Sequence, residues 1–222
     1  MGRGARYYAV GMKTKAARAK VAKLDLYQVY KADYVTPRKP VLLRIAKAAY
    51  LGIAGQGEPG GQAFQDAIGA LYGVAFTIKM ASKFAGQDYG VSKLEGLWWI
   101  DSGATFTTEP KDKWHWRLLI RTPDFVGKRE LGAARKQLAE KGKPPLFREV
   151  ELIHLKEDQC VQVLHVGPYD REPETIAQME AFAAGQGYRF HGLHHEIYLS
   201  DPRRVAPEKL RTILRIPVAR VS

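Results

Sequence analysis

The chain has 222 residues, 45% hydrophobic and 26% charged, with a formal net charge of +12. No run of about 18 apolar residues occurs, which excludes a membrane-spanning helix, and no apolar stretch near the N-terminus would serve as a secretory signal. The lone Cys160 excludes an intrachain disulfide and a cysteine-built zinc site, and fits a reducing cytoplasm. Residues 1–40 hold ten Lys and Arg against Asp25 and Asp33, so +8 of the net charge sits at the start of the chain. A basic arm can hold nucleic acid electrostatically. This one lacks aromatic spacing and any helix-turn-helix pattern. Residues 1–22 are therefore read as a basic, flexible, solvated leader, or as an over-long start with Met12 the true one. Nucleic acid is not the expected partner.

From Val41 to Ile53 the chain is rich in Val, Leu, Ile and Tyr, broken by Arg44 and Lys47, and reads as a strand. It ends in the turn cluster Gly55–Gly61, whose Gly55, Gly57 and Gly60 match a phosphate-loop spacing by chance. The Gly-Lys-Ser/Thr ending and a series of parallel strands are both missing. Phe64, Ala67, Ile68, Leu71, Tyr72, Ala75 and Ile78 recur at three- and four-residue steps, one face of a helix. Val91–Ile100 and Trp114–Arg121 read as strands, the second with Trp114, Trp116, Leu118 and Ile120 on one side. A short helix follows, with Asp124 as its expected N-cap and Leu131, Ala134 and Leu138 on its inner face.

The pattern then restarts. Val150–Leu155 and Cys160–Val166 read as strands, Gly167-Pro168-Tyr169-Asp170 as a turn, and Pro173 opens a helix with Glu172 and Glu174 in its first turn. Two strands follow, near His194–Leu199 and Leu210–Val218. The expected fold is α+β: a duplicated β-α-β-β unit with pseudo-two-fold symmetry, helices on one face and a ligand groove between the copies. Residues 23–222 form one domain, with repeat one at about 41–123, a linking helix at about 124–145 and repeat two at about 149–218. Gly57 matches Gly167 at an offset of 110, and Glu95 matches Glu196 at 101.

Glu95 and Glu196 are the leading candidates for chemistry, because a carboxylate in an aromatic strand is costly unless paired or functional. On the symmetric reading both point into one groove, where one serves as base and the other as acid or orienter. A salt-bridged role for each, with Lys93 and Arg117 near Glu95, is the competing reading. His194, His195 and Tyr198 surround Glu196 in sequence. Trp98, Trp99, Trp114 and Trp116 lie on one hairpin and would grip a planar or cationic ligand. Trp98 and Trp99 point to opposite faces, so at most one of them reaches the groove, and half or more of the set is core. Gly167 and Pro168 set Tyr169 at the groove rim as a donor to a developing oxyanion. His165, alternating with Val161 and Val163, is either a ligand contact or a core histidine. No metal or other cofactor is expected, since His194 and His195 face opposite ways and no HExxH is present.

Lys31–Tyr34, Phe64–Met80, Leu94–Trp99, Trp114–Trp116, Gln162–Tyr169, His194–Pro202 and Pro207–Arg215 resemble the GyrI-like small-molecule-binding family. They are similar in particular to its stand-alone branch, which includes cyclopropanoid cyclopropyl hydrolases. The resemblance runs from about residue 23 to the C-terminus. It implies paired β-α-β-β units of the SHS2 type and a groove for aromatic, often cationic, molecules. It also implies ligand contact by Glu196, and water-driven opening of a strained cyclopropane on DNA-alkylating natural products, a detoxifying reaction. Glu196 and Tyr169 are then the catalytic candidates, and Trp98, Trp99, Trp116, Glu95, His165, His194 and Tyr198 the ligand-binding ones. A non-catalytic binder or sensor is the alternative. The expected partner is an aromatic small molecule, with no membrane contact, in the cytoplasm. Val91-Ser92-Lys93 and Lys156-Glu157-Asp158-Gln159 depart from the family pattern and are expected to alter the groove mouth.

Overall fold

The computed structural model describes residues 22–102, 106 and 108–221. Nearly all of the leader, residues 1–21, lies outside them. The described chain runs through a short helix α1 (Leu26–Val29), capped by the Asp25 carboxylate, into strands β1 (Val41–Ile45) and β2 (Ala48–Gln56). Helix α2 (Gln62–Phe84) leads to β3 (Leu94–Trp99), β4 (His115–Arg121) and helix α3 (Lys128–Glu140). The C-terminal half carries β5 (Glu151–Leu155), β6 (Asp158–Val166), α4 (Glu172–Gly185), β7 (Tyr188–Phe190), β8 (His194–Tyr198) and β9 (Arg211–Arg220).

Eight strands form one antiparallel sheet in the order β1-β6-β9-β8-β3-β4-β2-β5, and β7 pairs with β9. The expected single strand Val41–Ile53 is two. The chain breaks at Ala46-Lys47, so that β1 pairs with β6 of the other half while β2 pairs with β4 and β5. β5 crosses in the same way, away from its own half. The two halves thus exchange their first strands, and the sheet closes around β3 and β8 at its centre. Polar Arg44 and Lys47 are the local signs of that break.

Cross-strand neighbours share a face. One row reads Val163, Leu214, Glu196, Gly96, Leu118, Ile53 across the sheet. Both long helices cover this face. α2 buries Phe64, Leu71, Val74 and Ile78 against Trp98, Trp116 and Leu118, and α4 buries Met179 and Ala183 against Val161, Val163 and Leu214. The opposite face carries Tyr50, Leu97 and Leu119, and the segment around α1 packs on it through Tyr34 against Ile197 and Ile213. Helix α3 begins later than expected. Its N-cap is Gly127, not Asp124, and the Gly127 N–H is held by Glu130 Oε2 at 2.9 Å. The last strand runs on past the expected Val218, and Pro217 lies inside β9.

Candidate functional site

Side chains alternate along a strand, so β8 turns His194, Glu196 and Tyr198 toward the helices and His195 and Ile197 away. Gly96 lies directly across from Glu196, and a Cβ there would sit 2.9 Å from the Tyr198 hydroxyl. Its absence lets the Tyr198 ring lie over β3 and accept a hydrogen bond from Trp98 Nε1 at 3.1 Å. The Trp98 ring stacks on Phe64 of α2 at 5.6 Å and meets Trp114 edge-on at 6.2 Å. Trp116 stands edge-on to Phe64 and lies flat on Gly55, where no side chain would fit.

The first residue of α4, Glu172, completes the site. His194 Nε2 is 3.2 Å from Glu196 Oε1 and 3.8 Å from Glu172 Oε2. Burial, and then the charge of Glu196, push the Glu172 carboxyl up to about 8. Burial alone would lower His194, but its hydrogen bonds and charge interactions with both carboxylates outweigh this and raise it to about 9. At neutral pH His194 is therefore an imidazolium and Glu172 holds its proton. The three donor atoms lie within 4.8 Å of one another, the one such group among the described residues, and a cation would bind there only by displacing the protons on His194 and Glu172. Glu172 Oε1 and His194 Nδ1 are buried without a hydrogen-bond partner among the described residues. Tyr169, 37% exposed, stands edge-on to Tyr198 at 6.2 Å, and burial followed by Glu196 pushes its hydroxyl up to about 12. It stays a donor at physiological pH. Phe106 lies 6.1 Å from the His194 ring.

Of the residues singled out from sequence, Glu196, His194, Tyr198, Tyr169, Trp98 and Trp116 share the helix-side face. Three others are placed differently. Trp99 turns to the opposite face and stacks on His115 at 5.4 Å. His165 is on the helix side, but both nitrogens are committed, Nδ1 to Thr175 Oγ1 at 2.8 Å and Nε2 to the Pro168 carbonyl at 3.2 Å. It braces the turn that presents Tyr169. Glu95 does not share a groove with Glu196. It pairs with Ile197 on the far face, fully buried. The offset of 101 between Glu95 and Glu196 is odd, and a one-residue shift exchanges the faces of a strand. At an offset of 100, Glu95 falls on His195 and Trp98 on Tyr198. The second carboxylate beside Glu196 is Glu172. The expected open groove is also filled, because Trp98 and Trp116 are 4% and 2% exposed.

Glu95 instead belongs to a buried network. Tyr34 Oη donates to Glu95 at 3.0 Å, His195 Nε2 lies 3.0 Å from its other oxygen, and His195 Nδ1 lies 2.9 Å from Glu157. Arg215 donates to Glu157 and Gln162, both at 2.8 Å, and Arg121 to Asp33 at 2.8 Å. The Lys156–Gln159 loop, expected at the groove mouth, therefore sends Glu157 into the core of the opposite face. Lys93, a suggested partner of Glu95, bonds the Leu199 carbonyl.

The model of the GyrI-like small molecule binding domain matches residues 39–219. The chain belongs to the GyrI-like family. A hydrolase from Listeria innocua is 37% identical, with a TM-score of 0.80 over 89% of this chain and 100% of its own. An uncharacterized conserved protein from the same organism is 38% identical with a TM-score of 0.82 over the same shares. The C-terminal domain of EcmrR, 13% identical, aligns over 82% of this chain and 98% of its own at a TM-score of 0.55, a likeness of fold alone. No curated protein matches the chain. As a member of this family the chain is a small-molecule-binding domain.

Proposed function

We propose that the protein binds a flat, electrophilic aromatic compound beside Trp98, Tyr169 and Tyr198, and hydrolyses a strained cyclopropane on it, a detoxifying reaction of the cytoplasm. The observation that carries this is a buried acid–imidazole–acid set, Glu172, His194 and Glu196, bordered by Trp98, Tyr198 and the partly exposed Tyr169. The Listeria hydrolase among its relatives supports the reaction class. Water oxygen bonds to the cyclopropyl carbon as the ring C–C bond breaks, and the released electron pair moves to the conjugated carbonyl oxygen. Glu196 takes the water's proton. The Tyr169 hydroxyl donates to the oxygen gaining charge. Strain supplies most of the driving force, so about 3–5 kcal/mol from water positioning and one hydrogen bond gives a useful rate.

The strand order reads the same from either end once β1 is exchanged with β5, β2 with β6, β3 with β8 and β4 with β9. This supports a duplicated unit whose pseudo-two-fold passes between β3 and β8, within one domain of residues 23–222. The site then lies at the joint between the copies.

Incubation with a cyclopropane-bearing alkylator should give the water adduct by mass spectrometry. Glu196→Gln should lower turnover by about 10²–10⁴-fold while binding, read by tryptophan quenching, persists. Full activity in that variant rejects the role of Glu196. A second reading, binding without chemistry, is favoured by the family match, whose description is of small-molecule binding alone. Recovery of bound but unchanged compound would establish it.

A further inference from the structure

The imidazole of His194 stands where the positive charge of a cationic ligand would have to sit. Its Nε2 is 3.2 Å from Glu196 Oε1 and 3.8 Å from Glu172 Oε2, so one N–H faces both acids. The three side chains are closed off from water, with 9% of His194, 12% of Glu196 and 7% of Glu172 exposed. Charge buried this deeply has to be matched locally. Among the described residues no lysine or arginine pairs with either acid. Arg171 pairs with Glu174, and Arg203 and Arg204 with Asp201. His194 is therefore the counter-ion of the site.

The charges balance without a guest. Burial pulls His194 down, but its bonds to Glu172 and Glu196 raise it to about 9. Burial, and then the charge of Glu196, raise the Glu172 carboxyl to about 8. At neutral pH one imidazolium thus faces one carboxylate and one neutral acid, and the set carries no net charge. The other ionisable groups turned toward the acids are the hydroxyls of Tyr169 and Tyr198, both pushed up by burial and then by Glu196. They stay uncharged. A second feature points to the ligand itself. An imidazolium has two N–H donors. Nε2 serves the carboxyls, while Nδ1 is buried and has no hydrogen-bond partner among the described residues. An unmet buried donor is costly, and an acceptor on a bound molecule would relieve it.

We propose that His194 makes this site selective for uncharged aromatic ligands that carry a hydrogen-bond acceptor, and sets it against aromatic cations. His194 has this role only if the ligand binds beside Glu196, as proposed above. A cation entering there either meets the imidazolium across the carboxylate or expels its proton, and both weaken binding. A neutral ligand faces neither cost, and Nδ1–H meets its acceptor. The family resemblance implies ligands that are often cationic. This chain departs from that because its own side chain supplies the cation.

The test uses three flat two-ring probes of like size. Quinoline is neutral with an acceptor nitrogen, naphthalene is neutral without one, and N-methylquinolinium is a cation. Equilibrium dialysis of the full chain at neutral pH should rank their affinities in that order, with quinoline at least about tenfold tighter than the cation. His194→Gln removes the fixed positive charge and should turn the ratio toward the cation by about tenfold to a hundredfold. The double variant His194→Gln, Glu172→Gln leaves a single carboxylate and should show the same turn, with circular dichroism reporting the fold of each. Equal or tighter binding of N-methylquinolinium by the parent overturns the proposal and leaves aromatic binding standing. So does a ratio that neither folded variant changes. Naphthalene bound as tightly as quinoline overturns the role of Nδ1. Failure to bind any of the three overturns the selectivity together with aromatic binding at this site.

Discussion

Glu196 sits in the middle of an apolar row, and a carboxylate there is tolerated because His194 faces it at 3.2 Å. Its immediate neighbours His194 and Tyr198, and Trp98 on the next strand, could be read from a local run of residues. Glu172 could not, because it reaches the site from the first turn of a helix 22 positions upstream of His194, where an acid has an ordinary explanation in the helix dipole. The glycine at 96 is equally mute in sequence, yet it makes room for Tyr198. Gly96→Ala should break the Trp98–Tyr198 hydrogen bond and cost about 1–3 kcal/mol through overpacking. Urea denaturation checks the stability, and a shift in tryptophan emission reports the indole. An unaltered emission spectrum would mean that Tyr198 moves aside without loss.

At the scale of elements, β3 and β8 decide the chemistry by their register. Glu95 pairs with Ile197 and Glu196 with Gly96, so the two acids face opposite sides of one sheet. The far-side acid is built into a network that ties β3, β6, β8, β9 and the segment after α1 together through Glu95, His195, Glu157, Gln162, Arg215 and Asp33. Removing one member leaves a buried charge without its partner. Arg215→Met, which strips Glu157 of a 2.8 Å partner, should cost about 3–5 kcal/mol. The double variant Arg215→Met, Glu157→Gln should recover part of this, since no unpaired charge then remains. Equal losses in the two variants would show that packing, not charge, sets the cost.

The whole molecule titrates through the same groups. His194 moves from an ordinary 6.5 to about 9 on folding, and Glu172 from 4.5 to about 8. Both hold protons more tightly when folded, so their effect on stability worsens as pH rises. The His194 contribution is complete below about 6.5 and gone above about 9, while Glu172 begins to cost stability above about 4.5 and costs its full amount above about 8. Glu157 works the other way. Burial alone would raise it, but His195 and then Arg215 hold it at about 2, and its stabilisation is lost as pH falls from 4.5 toward that value. Thermal stability should therefore peak in mildly acidic solution and decline toward pH 9. Glu172→Gln should melt above the parent at pH 9, by about 2–4 °C for each kcal/mol recovered, and show no such gain at pH 5. Parallel melting curves across that range would remove the shared proton from the account.

Periodicity and turn residues were enough to place α2, α3, α4 and most strands, because an amphipathic element writes its own repeat into adjacent residues. The family resemblance, carried by runs such as Leu94–Trp99 and His194–Pro202, was legible for the same reason. The exchange of β1 and β5 between halves, the inward turn of Glu157 and the alliance of Glu172 with Glu196 were not. Each depends on which strand lies beside which, and at what register. Those contacts join residues scores of positions apart, where a slip of one residue reverses every side chain and leaves the local pattern intact.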